Sequence, residues 1–429
     1  MNSVSLQNLL KMGKFFYQIF LRLYPLIASI ISPFNPKAKK WIEGRKDIFI
    51  KIKNALQHDP GKKIWMHCSS LGEFEQGRPL LESLSKVYPD LKIVVSFFSP
   101  SGYEVQKNYA GANYVFYLPM DSKQHAQEWY DLINPSLVLF VKYEFWNYYL
   151  QESKKRNIPL LLISGIFRKS QPFFSWYGRF YREMLTCFTH FFIQDKNSAM
   201  LLQSIGLENF TICGDTRFDR VIQMKKNTVS LPGIEIFCEK AITLVAGSTW
   251  LEDDEELNHY INKKPEMRFI IAPHDVGEDR IKECLLLYKN SILYSEFVQN
   301  FYLPPDKNTL IIDNIGMLKR LYGYATISFV GGGFGGDGVH NVLEPAVYGR
   351  PVLFGPVYEK FPEATGLVET GAAFSIIDAI ELEEQLNELL EDDALYQSAC
   401  TQASAFVLSQ AGATNHILGY LKENLRLMS

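Results

Sequence analysis

ATISFVGGGFGGDGVHNVLEPAVYGRPVLFGP, residues 325–356, is the stretch from which the rest of the chain is read. It opens with an apolar run, 325–330, that reads as a buried strand. Six glycines then fall within the eight positions 331–338, followed by His340, Asn341 and Glu344. A helix-like segment is expected to run on to Gly349, and residues 351–355 read as the next strand. Strand, glycine turn and helix start together have the logic of an anion site. Glycine lets the backbone approach a ligand, and free N–H groups at the positive end of a helix dipole favour a phosphate. On that reading Gly332, Gly333 and Asn341 contact a nucleotide. Glu344 would repel a phosphate unless it points at ribose hydroxyls, as an acid near a phosphate-binding helix does in dinucleotide folds. The competing reading is that the glycines only make a tight turn.

Outward from this stretch, 429 residues are too many for one core and suggest two domains. Hydrophobic content of 47% marks a globular chain, and a formal net charge of −3 gives no case for bulk nucleic-acid binding. Six scattered cysteines without a C-x-x-C pair fit reduced thiols. No H-E-x-x-H or histidine cluster occurs, so no metal and no cofactor is expected. Neither a Walker A pattern nor a G-x-S-x-G elbow is present, which argues against P-loop ATPases and α/β-hydrolases.

Near the N-terminus, residues 15–33 (FFYQIFLRLYPLIASIISP) are strongly apolar, with Lys11 and Lys14 before them and Lys37, Lys39 and Lys40 after. Arg22 and Pro25 interrupt the run. A spanning helix needs about 20 clean apolar residues, so an interfacial anchor with basic flanks suits it better. The alternative is a buried first helix.

From residue 63 onward, strand-like runs alternate with helical ones. In the first half they cover 63–68, 92–98, 114–118, 137–143, 160–164, 191–194 and 210–213. After a polar, turn-rich break at 223–233 they resume at 242–247, 269–272, 310–313, 325–330, 351–354 and 373–377. Such alternation implies β-α-β crossovers and mostly parallel sheets. The expected fold class is therefore α/β, with two Rossmann-like domains facing a central cleft and ligands at the carboxyl ends of the strands. The expected organisation is an N-terminal membrane-associating helix (1–40), an acceptor domain (41–225) and a nucleotide-binding domain (226–429). A final helix over 416–427 can pack back on the first domain.

Three strand ends carry the pattern of a helix capping box: Ser70 to Glu73, Thr249 to Glu252 and Asn341 to Glu344. For Glu252 and the acids 253–256 behind it, a solvated first turn is expected. Glu73 is preceded by Gly72 and delivered by a strand end, so it is a candidate general base as well as a cap. Glu144, in KYEFWNYY, ends a strand and could face the cleft or be a satisfied carboxylate among aromatics. Arg168 follows a strand end and could hold an anionic acceptor or lie in a solvated loop. Arg217 could pair with a carboxylate or phosphate, or simply with Asp215 or Asp219. His274 follows a strand of the second half and could contact the nucleotide, although a lone loop histidine is more often structural.

Taken together, W-M-H-C-S-S-L-G-E at 65–73, S-P-S-G-Y-E at 99–104, E-F-W at 144–146, G-D-T-R-F-D at 214–219, A-G-S-T at 246–249 and H-N-V-L-E-P-A at 340–346 resemble the 3-deoxy-D-manno-octulosonate (Kdo) transferases of lipopolysaccharide assembly. The resemblance covers essentially the whole chain. It implies a two-domain GT-B glycosyltransferase that uses CMP-Kdo and a lipid A precursor at the cytoplasmic face of the inner membrane, without a required metal. In that picture Glu73 is the base, Glu144 joins it in the catalytic site, and Gly247, Ser248 and Thr249 belong to the donor site. Three positions depart from the family pattern: Lys142 replaces the first acid of E-x-E-L-W, the P-R-H-P segment reads Pro273-His274-Asp275-Val276, and Val339 replaces the second glycine of G-G-H-N.

Overall fold

The computed structural model describes residues 3–227, 229–239 and 241–424. The chain forms two compact units, Met1–Arg220 with Ala411–Ser429, and Val221–Gln410. Every strand expected from the sequence is present. The first unit holds β1 (Lys63–Cys68), β2 (Lys92–Phe97), β3 (Tyr114–Tyr117), β4 (Pro135–Val141), β5 (Leu160–Gly165), β6 (His190–Ile193) and β7 (Phe210–Ile212). They lie in one sheet, in the order β3-β2-β1-β4-β5-β6-β7, and each pairing is parallel. Both faces of this sheet are covered, so its strands are near-continuous apolar runs. Along β1 the pleat sends Ile64, Met66 and Cys68 to one core, with Phe74 and Leu80, and Trp65 to the other, with Trp129, Tyr149 and Phe140.

The helix Ala413–Asn424 belongs to this first unit. It places Ile417 and Leu421 in the core beside Phe74. Asp219 caps its start, accepting from the N–H groups of Gly412 at 2.6 Å and Thr414 at 2.7 Å.

The long first helix, Ser3–Ile31, is neither wholly buried nor free. Tyr17 and Ala28 are buried, and the Tyr17 hydroxyl donates to Asp121 at 2.5 Å. Tyr24 packs edge-on against Trp41 and beside Phe98. The opposite side leaves Phe15, Leu23, Leu26 and Ile30 exposed. Its segment Leu9–Ile31 is long and apolar enough to cross a membrane.

The second unit holds β8 (Thr243–Thr249), β9 (Arg268–Pro273), β10 (Ser291–Leu293), β11 (Thr309–Ile311), β12 (Ile327–Val330), β13 (Val352–Phe354) and β14 (Ala373–Ser375). Their order is β10-β11-β9-β8-β12-β13-β14, again all parallel. The strand β10 has no counterpart in the sequence reading. The strand order reverses between β1 and β4 in the first sheet and between β8 and β12 in the second, where β11 is also inserted between β10 and β9. Open α/β sheets bind ligands at the carboxyl ends of strands beside such a switch point.

Candidate functional site

In the first unit the switch point delivers two carboxylates. Glu73 stands in the first turn of the helix Leu71–Val87, which follows β1. Its carboxylate accepts from the Ser69 N–H, while the Ser70 hydroxyl makes no cap. Only half of the expected capping box therefore forms, one residue earlier than expected. Burial pushes the Glu73 carboxyl up to about 8, and the negative charge of Glu144 adds to this. The N–H groups of Ser69 and Ser70 and the Lys142 ammonium act in the opposite sense. A carboxyl that titrates near neutral pH suits general base chemistry.

Glu144 lies just beyond β4 and is buried. It accepts from His67 Nε2 at 3.0 Å and from the Trp146 indole N–H. Facing a carboxylate, His67 presents Nε2–H, which leaves Nδ1 to accept from the Ser96 hydroxyl at 2.8 Å. The Ser96 oxygen in turn accepts from the Trp65 indole at 2.8 Å. A one-directional chain, Trp65 to Ser96 to His67 to Glu144, thus satisfies a carboxylate that sits among aromatics. His67 and Ser96 escape the sequence reading because both are inward-facing strand residues, with only the partner showing what they do.

Lys142, the departure from the family pattern, has φ 65°, a left-handed conformation that costs a side chain energy and clusters at functional sites. Next to it Tyr143 has its phenol raised by burial, and it feels the charges of Arg168, Glu73, Asp195 and Arg217. The charges of Glu73, Arg168 and Arg217 thus all act on one tyrosine. The Arg168 side chain is exposed. Arg217 Nε donates to Asp215 at 2.9 Å, and Asp215 is further held by the Arg217 N–H and by Gln76. The simple pairing considered for Arg217 is the one found.

In the second unit the acids at 252–256 are not a uniformly solvated turn. Asp253 and Asp254 are fully buried. Asp253 Oδ2 accepts from the N–H of Trp250 at 2.9 Å and of Gly332 at 2.8 Å, so it ties the helix Leu251–Lys263 to the glycine loop. Burial raises its carboxyl to about 6. Asp254 pairs with Arg280 and accepts from Tyr288 at 3.0 Å. A five-acid run reads as solvated because its buried members show through partners 26, 34 and 79 residues away.

The glycine loop divides between the two readings. A Cβ on Gly333 would lie 2.5 Å from the Gly355 nitrogen, so that glycine serves close backbone packing between the ends of β12 and β13. Gly332 has φ 90° and spends its N–H on Asp253. Gly336, by contrast, has nothing within 4 Å of an added Cβ and is open to a ligand. The helix expected to reach Gly349 is only Leu343–Ala346, so the dipole argument for a phosphate is weak. Just before it, Asn341 Oδ1 accepts from the Leu343 N–H at 3.3 Å and its side-chain amide donates to Glu344 at 3.2 Å.

Of the other donor-site candidates, Gly247 packs against Tyr322 and Thr249 is buried, while Ser248 has φ 56° and is half-buried. His274 is exposed and stacks between Trp250 (4.5 Å) and His340 (4.6 Å). The Trp250 indole can only donate, so His340 Nε2 accepts its N–H at 3.1 Å and the ring is neutral. Burial, and then the neighbouring His274, lower His340 to about 4. This stack joins the ends of three adjacent strands, and only its His274 and His340 were visible as motif residues.

Residues 44–220 match the family model described as 3-Deoxy-D-manno-octulosonic-acid transferase (kdotransferase). The chain is similar to a 3-deoxy-D-manno-octulosonic acid transferase of Haemophilus influenzae, 25% identical over 96% of this chain and 99% of that one. A Chlamydia muridarum protein of the same name is 27% identical over 85% and 86%. Among solved structures, the UDP-GlcNAc 2-epimerase of Neisseria meningitidis, bound to UDP-GlcNAc, superimposes with a TM-score of 0.62 at 16% identity, covering 84% of this chain and all of that one. That likeness is one of fold. The family model and these relatives point the same way: over both units the chain is similar to 3-deoxy-D-manno-octulosonic acid transferases.

Proposed function

We propose that the protein transfers Kdo from CMP-Kdo to a sugar hydroxyl of a lipid A precursor, with inversion at the anomeric carbon. The observation that carries this reading is Glu73: a strand-end carboxyl, gripped by backbone N–H groups and titrating at about 8, inside the segment that matches the family model. Glu73 takes the proton of the acceptor hydroxyl. The acceptor oxygen forms a bond to the anomeric carbon, and the bond from that carbon to the CMP phosphate breaks with its electron pair leaving on CMP. Glu144 keeps a negative charge beside Glu73 and so holds it basic. Arg168 and Arg217 offer cations to an anionic acceptor. Ser248, His274, Asn341 and the open part of the glycine loop at Gly336 are assigned to the donor, where preorganised N–H groups stabilise the departing phosphate.

The first helix supports an interfacial location. One face is fastened to the domain through Tyr17 and Tyr24, and the other is apolar. Such a helix lies in the membrane surface, assigned here to the cytoplasmic face of the inner membrane. Calorimetry separates this function from a UDP-sugar enzyme of the same fold: CMP should bind and UDP should not. Tight UDP binding without CMP binding rejects the reading.

A further inference from the structure

A cavity lies on the first unit, a groove of about 310 Å³ that no step above uses. Its outer wall is one stripe of the first helix, Tyr24, Ile27, Ala28 and Ile31, and Trp41 stands opposite. Ile27 and Ile31 are 52% and 42% exposed, so the groove opens onto the same apolar surface that faces the membrane. Its inner end is Ser99 and Pro100.

That inner end is joined to both carboxylates. The Ser99 N–H donates to the Ser69 carbonyl at 2.7 Å, and the Ser69 N–H is the one that holds Glu73. On the other side, Phe98 touches Tyr24 and Trp41 and lies 4.6 Å from the Trp146 ring, whose indole N–H bonds Glu144. The floor is rigid. Arg45 lies over the Trp41 and Phe98 rings and donates to the carbonyls of Trp41, Leu118 and Phe98. Lys37 stands on the rim, where its ammonium can meet a phosphate.

An apolar slot that opens on the exposed face of the first helix, backs onto the segment hydrogen-bonded to Ser69 and carries a cation on its lip fits an amphipathic anionic lipid. We propose that it holds an acyl chain of the acceptor lipid, so that the chain positions the acceptor sugar over Glu73. This rests on the Kdo-transfer reading and adds to it a subsite that makes acylation a determinant of acceptor choice.

The test uses the full chain in detergent micelles, CMP-Kdo, and two acceptors: a tetra-acylated phosphorylated disaccharide and the same disaccharide stripped of its chains. Ile27→Glu/Ile31→Glu charges the groove wall. Leu23→Glu/Ile30→Glu charges the same helix on a face outside the groove. All four side chains are exposed, so the core is untouched, and thermal melts should coincide with wild type. The groove pair should raise KM at least tenfold for the acylated acceptor and change the chain-free acceptor by less than twofold. The outer pair should leave both KM values in place and lose co-sedimentation with phospholipid vesicles. Equal losses on both acceptors, or equal effects of the two pairs, overturn the subsite and leave the helix as a bilayer contact only. Absence of transfer by wild type to either acceptor instead rejects the Kdo-transfer reading beneath it.

Discussion

Glu73→Gln should cost activity and yield stability, with a sign set by pH. The folded carboxyl titrates at about 8 against an ordinary value of 4.5. At about 1.4 kcal/mol per pH unit of difference, the ceiling on the penalty for ionising it in the folded state is about 5 kcal/mol. Glu73 is half-buried and coupled to Glu144, so solvent screening brings this to about 1–3 kcal/mol. The raised value means the folded chain keeps a proton that the unfolded chain releases between pH 4.5 and 8. Stability therefore falls as pH rises through that window, and the penalty is complete above about 8. Glutamine keeps an acceptor for the Ser69 N–H and removes the ionisation. Relative to wild type, the variant should melt about 2–10 °C higher at pH 9 and gain little at pH 4.5. Turnover should fall at least 100-fold, the scale of losing a general base, and wild-type kcat/KM should rise with pH toward about 8. Thermal melts in detergent across this range, beside Kdo transfer from CMP-Kdo, read both effects. A melting difference that does not change with pH refutes the raised carboxyl, and unchanged turnover leaves Glu73 with a capping role alone.

Gly333→Ala forces a Cβ against the Gly355 backbone and should lower stability by about 2 kcal/mol or more, whereas Gly336→Ala should melt like wild type and weaken only CMP binding by calorimetry. Asp253→Ala leaves the buried N–H groups of Gly332 and Trp250 unpaired and should cost about 2–4 kcal/mol in melts, with weaker CMP binding. Tyr17→Phe removes the buried bond to Asp121 and should cost about 1–2 kcal/mol by thermal unfolding, with CMP affinity unchanged.

The alternation of buried strands and amphipathic helices is written locally, so the sheets were legible from the sequence. Glu73 was legible too, because its motif sits at a strand end. What stayed hidden is long-range. Asp253 looks like its four acidic neighbours until Gly332, 79 residues on, shows it to be a loop anchor. His67 and Ser96 read as strand residues until Glu144 makes them its support. The glycine loop is the instructive case: one composition serves backbone packing at Gly333 and an open surface at Gly336, and no local pattern separates them. The short helix Leu343–Ala346 is a further example, since Gly349 turns with φ 70° soon after it.

The most direct measurement is mass spectrometry of the product formed from CMP-Kdo and a tetra-acylated lipid A precursor. The expected product is heavier by one or more Kdo residues, with one CMP released for each, and almost none forms with Glu73→Gln. An unmodified precursor with the wild-type protein, or equal product from the variant, contradicts this expectation.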